Sequence, residues 1–337
     1  MNSQDIKQKA TRLGYASCGI IPAAPFDEYK KYVEERCLTF PQSRSHYEWL
    51  NDFAQLPEGA KSVIVCIRRY NKYKVPQGLD KWVGKNYLFD GRVPYSHEYR
   101  DKAEFEAYLK TGGIGIIDFE VPARWAAAKA GLGKFGRNCF VYDPDHGSYH
   151  YIYAWVVDKA LDYDEEPEDL LMPECSDDCE KCVEACPTNA LVGGLSMDMD
   201  RCAARLTCYS GSGLPPDEAT RLQMGELLYG CDFCQDACPV NRDKFVEEEE
   251  FPLLDQYMQI LPPERILELG EDTYLSVLNP RFWYARDEGL WLWKFNALRA
   301  MINSGDEAYH DIIKRYCDHE DERLNEIARL GCKQLGL

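Results

Sequence analysis

The sequence contains no uninterrupted apolar run long enough to cross a lipid bilayer. Its first residues, MNSQDIKQKATRLGY, show neither the charged-then-apolar pattern of a secretion signal nor a twin arginine. Basic residues are also few: 39 Lys and Arg stand against 57 Asp and Glu, which gives a net charge of −18. We therefore expect a cytoplasmic protein with no membrane partner. Its overall field repels polyanions unless a local basic patch overcomes it.

Nine of the fifteen cysteines are concentrated between positions 175 and 241. The first half of this window reads CSDDCEKCVEACP from Cys175 to Pro187, and the second half contains CDFCQDACP from Cys231 to Pro239. A C-x2-C-x3-C-P rhythm is typical of bacterial ferredoxins, in which three closely spaced thiolates hold one [4Fe–4S] cluster and the cysteine before proline ligates the other. The window therefore predicts two [4Fe–4S] clusters that exchange one ligand each.

Reciprocal exchange assigns the ligands of both clusters. Cluster 1 takes Cys175, Cys179, Cys182 and Cys238, and cluster 2 takes Cys186, Cys202, Cys231 and Cys234. Cys202 replaces the cysteine that the second half lacks, and Cys175 is separated from Cys179 by three residues where a ferredoxin has two. Disulfide bonds suit small secreted domains, and zinc sites leave the repeated Cys-Pro ends unexplained.

The rest of the chain mixes predicted helices and strands. Apolar patterns predict strands at 16–21, 62–68, 115–118 and 149–157, and helices at 6–14, 121–130, 290–300, 309–317 and 321–335. Residues 71–100 are predicted to be a long loop over a site, and Glu247–Glu250 a solvated charge run. Cys66 is predicted to be buried in its strand, and Cys18, Cys37, Cys317 and Cys332, which have no partners at ligand spacing, to be structural.

These patterns predict an α+β fold in three parts. The expected parts are an N-terminal α/β unit at 1–165, a ferredoxin-like two-cluster unit at 166–250 and a HEAT-like helical segment at 251–337.

Several stretches resemble the epoxyqueuosine reductases, which are cobalamin-dependent relatives of reductive dehalogenases. They are LPEGAKSVIVC at 56–66, AAAKAGLGKFGRNC at 126–139, ACPTNALV at 185–192, DRCA at 200–203, YGCDFCQDACPVNR at 229–242 and KFNALR at 294–299. The matches follow the family order over most of the chain, and the YGCDFCQ run is far more specific than a generic ferredoxin motif.

The resemblance implies a cobalamin bound base-off between the N-terminal and cluster units, which makes the N-terminal unit corrinoid-binding. Electrons would come from an external low-potential donor of the ferredoxin or flavodoxin type and pass through the two clusters. The corrin contacts that the resemblance implies are Asp118, Gly131, Gly133, Arg137, Asn138, Thr207, Cys208, Tyr209, Ser210 and Asp232. Glycines in the 131–138 loop would let the backbone approach the corrin closely.

In this family an aspartate ahead of the alanine-rich helix donates a proton, and the resemblance implies this role for Asp118. Asp118 lies about one residue out of the family register, so a helix cap is its structural alternative. Glu120 and Tyr99 are the alternative donors.

The sequence leaves three functions open. The first is reduction of the epoxide of epoxyqueuosine in tRNA to queuosine. It needs a basic face, for which the candidates are Lys72, Lys74, Lys81, Lys85, Arg92 and Arg100. The second is a paralogue with the same cofactors that reduces a small epoxide, an organohalide or another corrinoid, which suits the net charge of −18. The third is a cobalamin-free iron–sulfur electron-transfer protein, which leaves the glycine loop and the N-terminal unit without a purpose.

Overall fold

A computed structural model describes residues 1–51, 55–89, 96–209, 217–282 and 284–337, with side chains to residue 48 in the first range. The strands are β1 (Ser17–Pro22), β2 (Ser62–Arg69), β3 (Ile116–Ile117), β4 (Lys134–Phe135), β5 (Val141–Tyr142), β6 (His150–Val157), β7 (Leu191–Gly193) and β8 (Ser196–Met197). The helices up to the first cysteine motif are α1 (Ser3–Arg12), α2 (Asp27–Thr39), α3 (Arg44–Asn51), α4 (Lys85–Leu88), α5 (His97–Thr111) and α6 (Ala123–Lys129).

The cluster and C-terminal regions are mainly helical. Their helices are α7 (Lys181–Glu184), α8 (Ala203–Cys208), α9 (Glu218–Gln223), α10 (Phe233–Asp236), α11 (Leu254–Tyr257), α12 (Pro263–Glu268), α13 (Glu271–Thr273), α14 (Leu290–Ser304), α15 (His310–Tyr316) and α16 (Glu322–Leu335). None of the helices in the described ranges is long and apolar enough to span a membrane.

The N-terminal region is built on a four-stranded sheet in the order β1-β2-β6-β3, and every neighbouring pair is antiparallel. Central β2 pairs Ser62 with Val157 and Arg69 with His150. The N-terminal α/β prediction is therefore wrong in its strand direction, because antiparallel strands make this region α+β as well. Apolar runs specify buried strands but not the direction in which they pair.

Helices cover both faces of this sheet, which explains why seven of the eight β2 residues are buried. Successive strand residues point to opposite faces. Val63, Val65 and Ile67 pack with α2 and α6, whereas Ile64 and Cys66 pack with α1 and α5. Burial of Cys66 is as predicted.

The acidic run at 247–250 is exposed, as predicted for a solvated charge run, and its backbone also pairs with residues 72–74. Lys74 N donates to Glu249 O (2.8 Å) and Glu248 N donates to Lys72 O (2.7 Å). The side chains pair as well, Lys72 with Glu249 at 2.9 Å and Lys74 with Glu250 at 2.7 Å. The predicted 71–100 loop is shorter than expected because it contains α4 and the start of α5.

The three predicted C-terminal helices are present as α14, α15 and α16. The large core around α14 takes aromatic residues from distant parts of the chain: Tyr229 stacks on Trp293 at a centroid distance of 5.0 Å, and Tyr70 belongs to the same core. The C-terminal helices therefore pack on the segment that leads into the second cysteine motif.

Candidate iron–sulfur centre and neighbouring cavity

Short helices hold the two cysteine motifs face to face. Helix α7 carries Cys182 and α10 carries Cys234, and the two helices are in contact. Each helix ends two residues before a cysteine that precedes a proline, Cys186 in the first motif and Cys238 in the second. Since proline cannot continue the hydrogen-bond pattern of a helix, the chain turns at each of these two cysteines.

The four cysteines predicted for cluster 1 line one small cavity, together with Gly136, Arg137, Asn138 and Tyr142. Cys238 thus leaves its own motif and joins Cys175, Cys179 and Cys182. The pKa of Cys182 is raised to about 11, mainly by burial and also by the nearby Cys175 and Cys238. Four thiolates this close in a buried site need compensating positive charge, which iron supplies.

The other four cysteines lie near one another. Burial raises the pKa of Cys234 well above its usual value, and Cys231, Cys202 and Cys186 each add to the rise. Burial likewise raises the pKa of Cys231, again with contributions from Cys202 and Cys186. The structure therefore separates the eight cysteines into the two sets that reciprocal exchange requires.

The donor sets fit iron–sulfur clusters better than the alternatives. All fifteen cysteines are free thiols, so no disulfide framework is present. Within the described ranges no three His, Cys, Asp or Glu side chains are close enough to share one metal ion. A cluster differs from a zinc site because each cysteine binds a separate iron. Backbone N–H groups also donate to the sulfurs, from Arg137 to Cys175 (3.4 Å) and from Ala190 to Cys186 (3.2 Å).

The glycine loop after α6 packs on the β4–β5 hairpin. A Cβ at Gly133 would lie 2.6 Å from the Tyr142 carbonyl oxygen, and one at Gly136 would lie 2.6 Å from the Tyr142 ring. Gly131 has a φ of +70°, a conformation that favours glycine. The hairpin therefore accounts for Gly133 and Gly136, and the left-handed backbone accounts for Gly131.

Arg137 and Asn138 lie at the wall of the cluster 1 cavity. The Arg137 guanidinium donates to Asp177 O at 2.6 Å. The buried Asn138 amide donates to the Tyr142 hydroxyl at 2.8 Å and to Cys234 O at 3.0 Å. Asn138 therefore connects the glycine loop to the backbone of the second motif.

A second group of predicted corrin contacts lies around Gly230. The Thr207 hydroxyl accepts from Gly230 N at 2.9 Å and donates to Ala203 O at 2.7 Å. Cys208 is buried in the core. The Asp232 carboxylate accepts from Lys85 N. Burial raises the pKa of Asp232 to about 6.

The segment that begins at Gly84 covers this group. A Cβ at Gly84 would lie 2.8 Å from Cys231 N. Tyr209 lies under the Arg286 guanidinium at 4.4 Å, and Ser210 is outside the described residues.

The implied corrin contacts therefore form separate groups, and several of their polar atoms bond to other parts of the chain, although the buried Arg137 Nε has no hydrogen-bond partner among the described residues. Of those within the described ranges, none lines the aromatic cavity among α2, α3 and the start of α6. The described contacts therefore line no single cavity, and we derive no reaction step through cobalamin.

The larger cavity, of about 240 Å³, was not predicted from the sequence. It lies among α2, α3, the start of α6 and the β7–β8 hairpin, and its walls include Tyr29, Tyr32, His46, Tyr47, Arg124, Trp125, Cys139, Met197 and Met199. The only available signal was the aromatic content of residues 25–53. Tyr29, Tyr32 and Tyr47 from this range meet the distant residues 122–139 and 195–199 only on folding.

Cys139 lies in the wall of this aromatic cavity and close to Cys202. Its φ of +69° is unusual for a residue with a side chain, and such backbone strain concentrates at functional sites. Burial raises the pKa of Cys139, and Cys202 adds to the rise. The Tyr32 hydroxyl donates to Cys139 Sγ at 3.9 Å, and Arg124 donates to the Cys139 carbonyl at 3.1 Å.

The three candidate proton donors, Asp118, Glu120 and Tyr99, are exposed. Asp118 directly follows β3 and lies four residues before Pro122, where the chain enters the cavity wall. No cap of α6 by the Asp118 side chain is found.

The predicted basic face is largely neutralised. Four of its lysines form ion pairs: Lys72 with Glu249, Lys74 with Glu250, Lys81 with Glu226 and Lys85 with Asp236. Arg100 bonds to His97, and Arg92 lies outside the described residues. The net charge of −18 is thus reflected locally, because the lysines predicted to form a basic face have acidic partners.

Comparison with known proteins decides the family. The family model of a 4Fe-4S double cluster binding domain matches residues 174–241, which identifies this segment as iron–sulfur binding. Over 265 residues the chain is 30% identical to an epoxyqueuosine reductase of Cyclobacterium marinum, covering 74% of this chain and 82% of that relative. The chain belongs to the epoxyqueuosine reductase family. It is therefore an oxidoreductase.

Other epoxyqueuosine reductases agree with this assignment. The enzyme of Staphylococcus aureus is 30% identical over 270 residues, covering 74% of this chain and 67% of that relative. A crystal structure of an epoxyqueuosine reductase with an epoxyqueuosine-modified tRNA stem loop superposes with a TM-score of 0.77 at 22% identity, covering 99% of this chain and 90% of that chain.

A Bacillus subtilis epoxyqueuosine reductase, solved with its aspartate catalytic loop swung out of the active site, has a TM-score of 0.75 at 22% identity, covering 98% of this chain and 90% of that chain. These structures share the fold of this chain.

Proposed function

We propose that this protein reduces the epoxide of epoxyqueuosine in tRNA to queuosine, using two [4Fe–4S] clusters and a cobalamin. The proposal rests mainly on the cavity that Cys238 shares with Cys175, Cys179 and Cys182, in a chain of this family. Ligand exchange places two clusters next to each other, as an electron relay requires. An external donor of the ferredoxin or flavodoxin type supplies the electrons.

We place the reaction at the aromatic cavity beside Cys202. Its volume of about 240 Å³ lies below the ~300–1,000 Å³ of typical ligand pockets and suits one substituted base better than a whole corrinoid. Aromatic walls such as Tyr32 and Trp125 offer stacking surfaces to a flipped-out base. Arg124, already bonded to Cys139 O, gives the wall a fixed positive charge.

Cobalamin supplies the strongly reducing metal centre in this family, and this chain's residues supply position and protons. An anaerobic visible spectrum of the protein reconstituted with hydroxocobalamin tests this part. Corrin absorbance that co-elutes with the protein supports it. A protein that carries both clusters but retains no corrinoid refutes it.

Asp118 is the proposed proton donor. A relative with its catalytic aspartate loop swung out has the same fold, and the exposed position of Asp118 agrees with such an arrangement. Asp118→Asn should abolish turnover of epoxyqueuosine tRNA while both clusters remain.

Glu120→Gln is the matched control, because Glu120 is equally exposed two residues further on. Full activity of Asp118→Asn together with loss of activity in Glu120→Gln would transfer the role to Glu120.

Substrate class is tested by product analysis of modified tRNA. The purified enzyme, a low-potential reductant and tRNA from epoxyqueuosine-accumulating cells should yield queuosine nucleoside by mass spectrometry. Fully loaded protein that leaves the modified tRNA unchanged, yet reduces a small epoxide, would overturn the tRNA assignment.

A further inference from the structure

Two cysteines outside the cluster region lie side by side on the last two helices. Cys317 follows the last residue of α15, Cys332 lies in α16, and their Sγ atoms are 3.2 Å apart. Both residues are partly exposed. A disulfide bond is about 2.05 Å long, so the sulfurs need to approach by only about 1 Å.

The surrounding contacts hold the two helix segments in this arrangement. The Cys317 carbonyl accepts from Asn325 Nδ2 at 2.7 Å and from Arg329 Nε at 2.9 Å, and both donors belong to α16. The Cys317 thiol is in reach of the Ile313 carbonyl at 3.7 Å and of Cys332. These contacts fix the end of α15 against α16 while the two thiols already lie side by side.

We propose that Cys317 and Cys332 form a reversible dithiol–disulfide site, oxidised by low-molecular-mass disulfides such as glutathione disulfide. One cysteine thiolate attacks a sulfur of the small disulfide and releases one thiol. The second cysteine then attacks the mixed disulfide and releases the other thiol. Two cysteine thiols are oxidised, one small disulfide is reduced to two thiols, and the two protons pass to the released thiols.

The disulfide bond would hold together helices that support the second cysteine motif. Helix α16 packs on α14, and Arg221 pairs with Glu326 of α16. From α14, the Asn296 side chain donates to Thr207 O at 3.1 Å and to Leu228 O at 2.8 Å. Oxidation therefore links the chain end to helices that support the Leu228–Cys231 segment.

Trypsin separates the two cysteines into peptides 316–323 and 330–333, so the bond can be read directly by mass spectrometry. The anaerobically purified holoprotein is treated with glutathione disulfide, remaining thiols are blocked with iodoacetamide, and the digest is analysed without reductant. We expect the two peptides to appear as one linked species in most chains, and to separate again after dithiothreitol. The treated protein should run as a single chain on a non-reducing gel and unfold at a higher temperature than before.

Cys332→Ser is the matched variant. Its Cys317 should be recovered as a mixed disulfide with glutathione, and its unfolding temperature should not rise on treatment. Recovery of both wild-type peptides as separate mixed disulfides, or both fully alkylated, would overturn the proposal. Neither outcome depends on catalytic activity, so the proposed function and this site can fail separately.

Discussion

Ligand exchange between the cysteine motifs predicts an unusual pattern of iron loss in paired substitutions. Cys238 lies in one cavity with Cys175, whereas Cys234, four residues earlier, belongs to the other set. The variant Cys175→Ala/Cys238→Ala therefore removes two ligands from one cluster and none from the other. The variant Cys234→Ala/Cys238→Ala removes one ligand from each.

The iron content follows from this arrangement. Wild-type protein should bind about eight irons in two [4Fe–4S] clusters. Cys175→Ala/Cys238→Ala should retain about four, because the cluster held by Cys186, Cys202, Cys231 and Cys234 keeps every ligand. Cys234→Ala/Cys238→Ala damages both clusters and should fall well below about four.

Iron and acid-labile sulfide, measured on anaerobically purified protein, provide the assay, and electron paramagnetic resonance of the reduced protein shows which signal survives. The control variant Cys37→Ala/Cys208→Ala removes two buried cysteines that belong to neither ligand set, and it should keep the full iron content. If each motif instead held its own cluster without exchanging a ligand, the iron contents would rank the other way. Cys234→Ala/Cys238→Ala would keep one cluster, and Cys175→Ala/Cys238→Ala would lose both. That result would refute the reasoning.

Three further predictions concern packing and charge. Gly84→Ala should destabilise the protein by about 1–3 kcal/mol and lower its iron content, because the added Cβ would collide with the backbone nitrogen of Cys231. Gly270→Ala, whose Cβ would meet open space, should have neither effect. Thermal unfolding and iron assays measure the two effects. Glu98→Gln should cost about 3 kcal/mol in chemical denaturation because it leaves the buried Arg68 without one carboxylate, and Glu104→Gln, in an exposed pair, should cost less than about 1 kcal/mol. The affinity for tRNA should fall with salt at a slope equivalent to about three phosphate contacts or fewer, since four predicted phosphate-binding lysines are paired, and a much steeper slope in a filter-binding series would contradict this.

The iron–sulfur segment at 174–241 could be predicted because the spacing of its cysteines is a local feature of the sequence. The same holds for the strand around Val63 and for the three C-terminal helices, whose apolar patterns are regular. The direction of strand pairing, by contrast, depends on contacts between distant segments.

The partners of the glycine loop and the lysines could not be predicted, because they come from elsewhere in the chain. Gly133 was expected to approach a cofactor and instead approaches the carbonyl of Tyr142. Lys74 was expected to face a polyanion, yet it pairs with Glu250, a residue far away in sequence. Cys317 and Cys332 are likewise 15 positions apart and meet only because two helices pack together.

The position of Cys238 beside Cys175 has a consequence for the biogenesis of the protein. A nascent chain that has left the ribosome only as far as the first motif carries three of the four thiols of that cavity and cannot close it. Metal insertion must therefore wait until the second motif has emerged. Until then, the antiparallel sheet that precedes the first motif must stay folded or be protected by chaperones. The thiols of that motif are exposed to oxidants during this time.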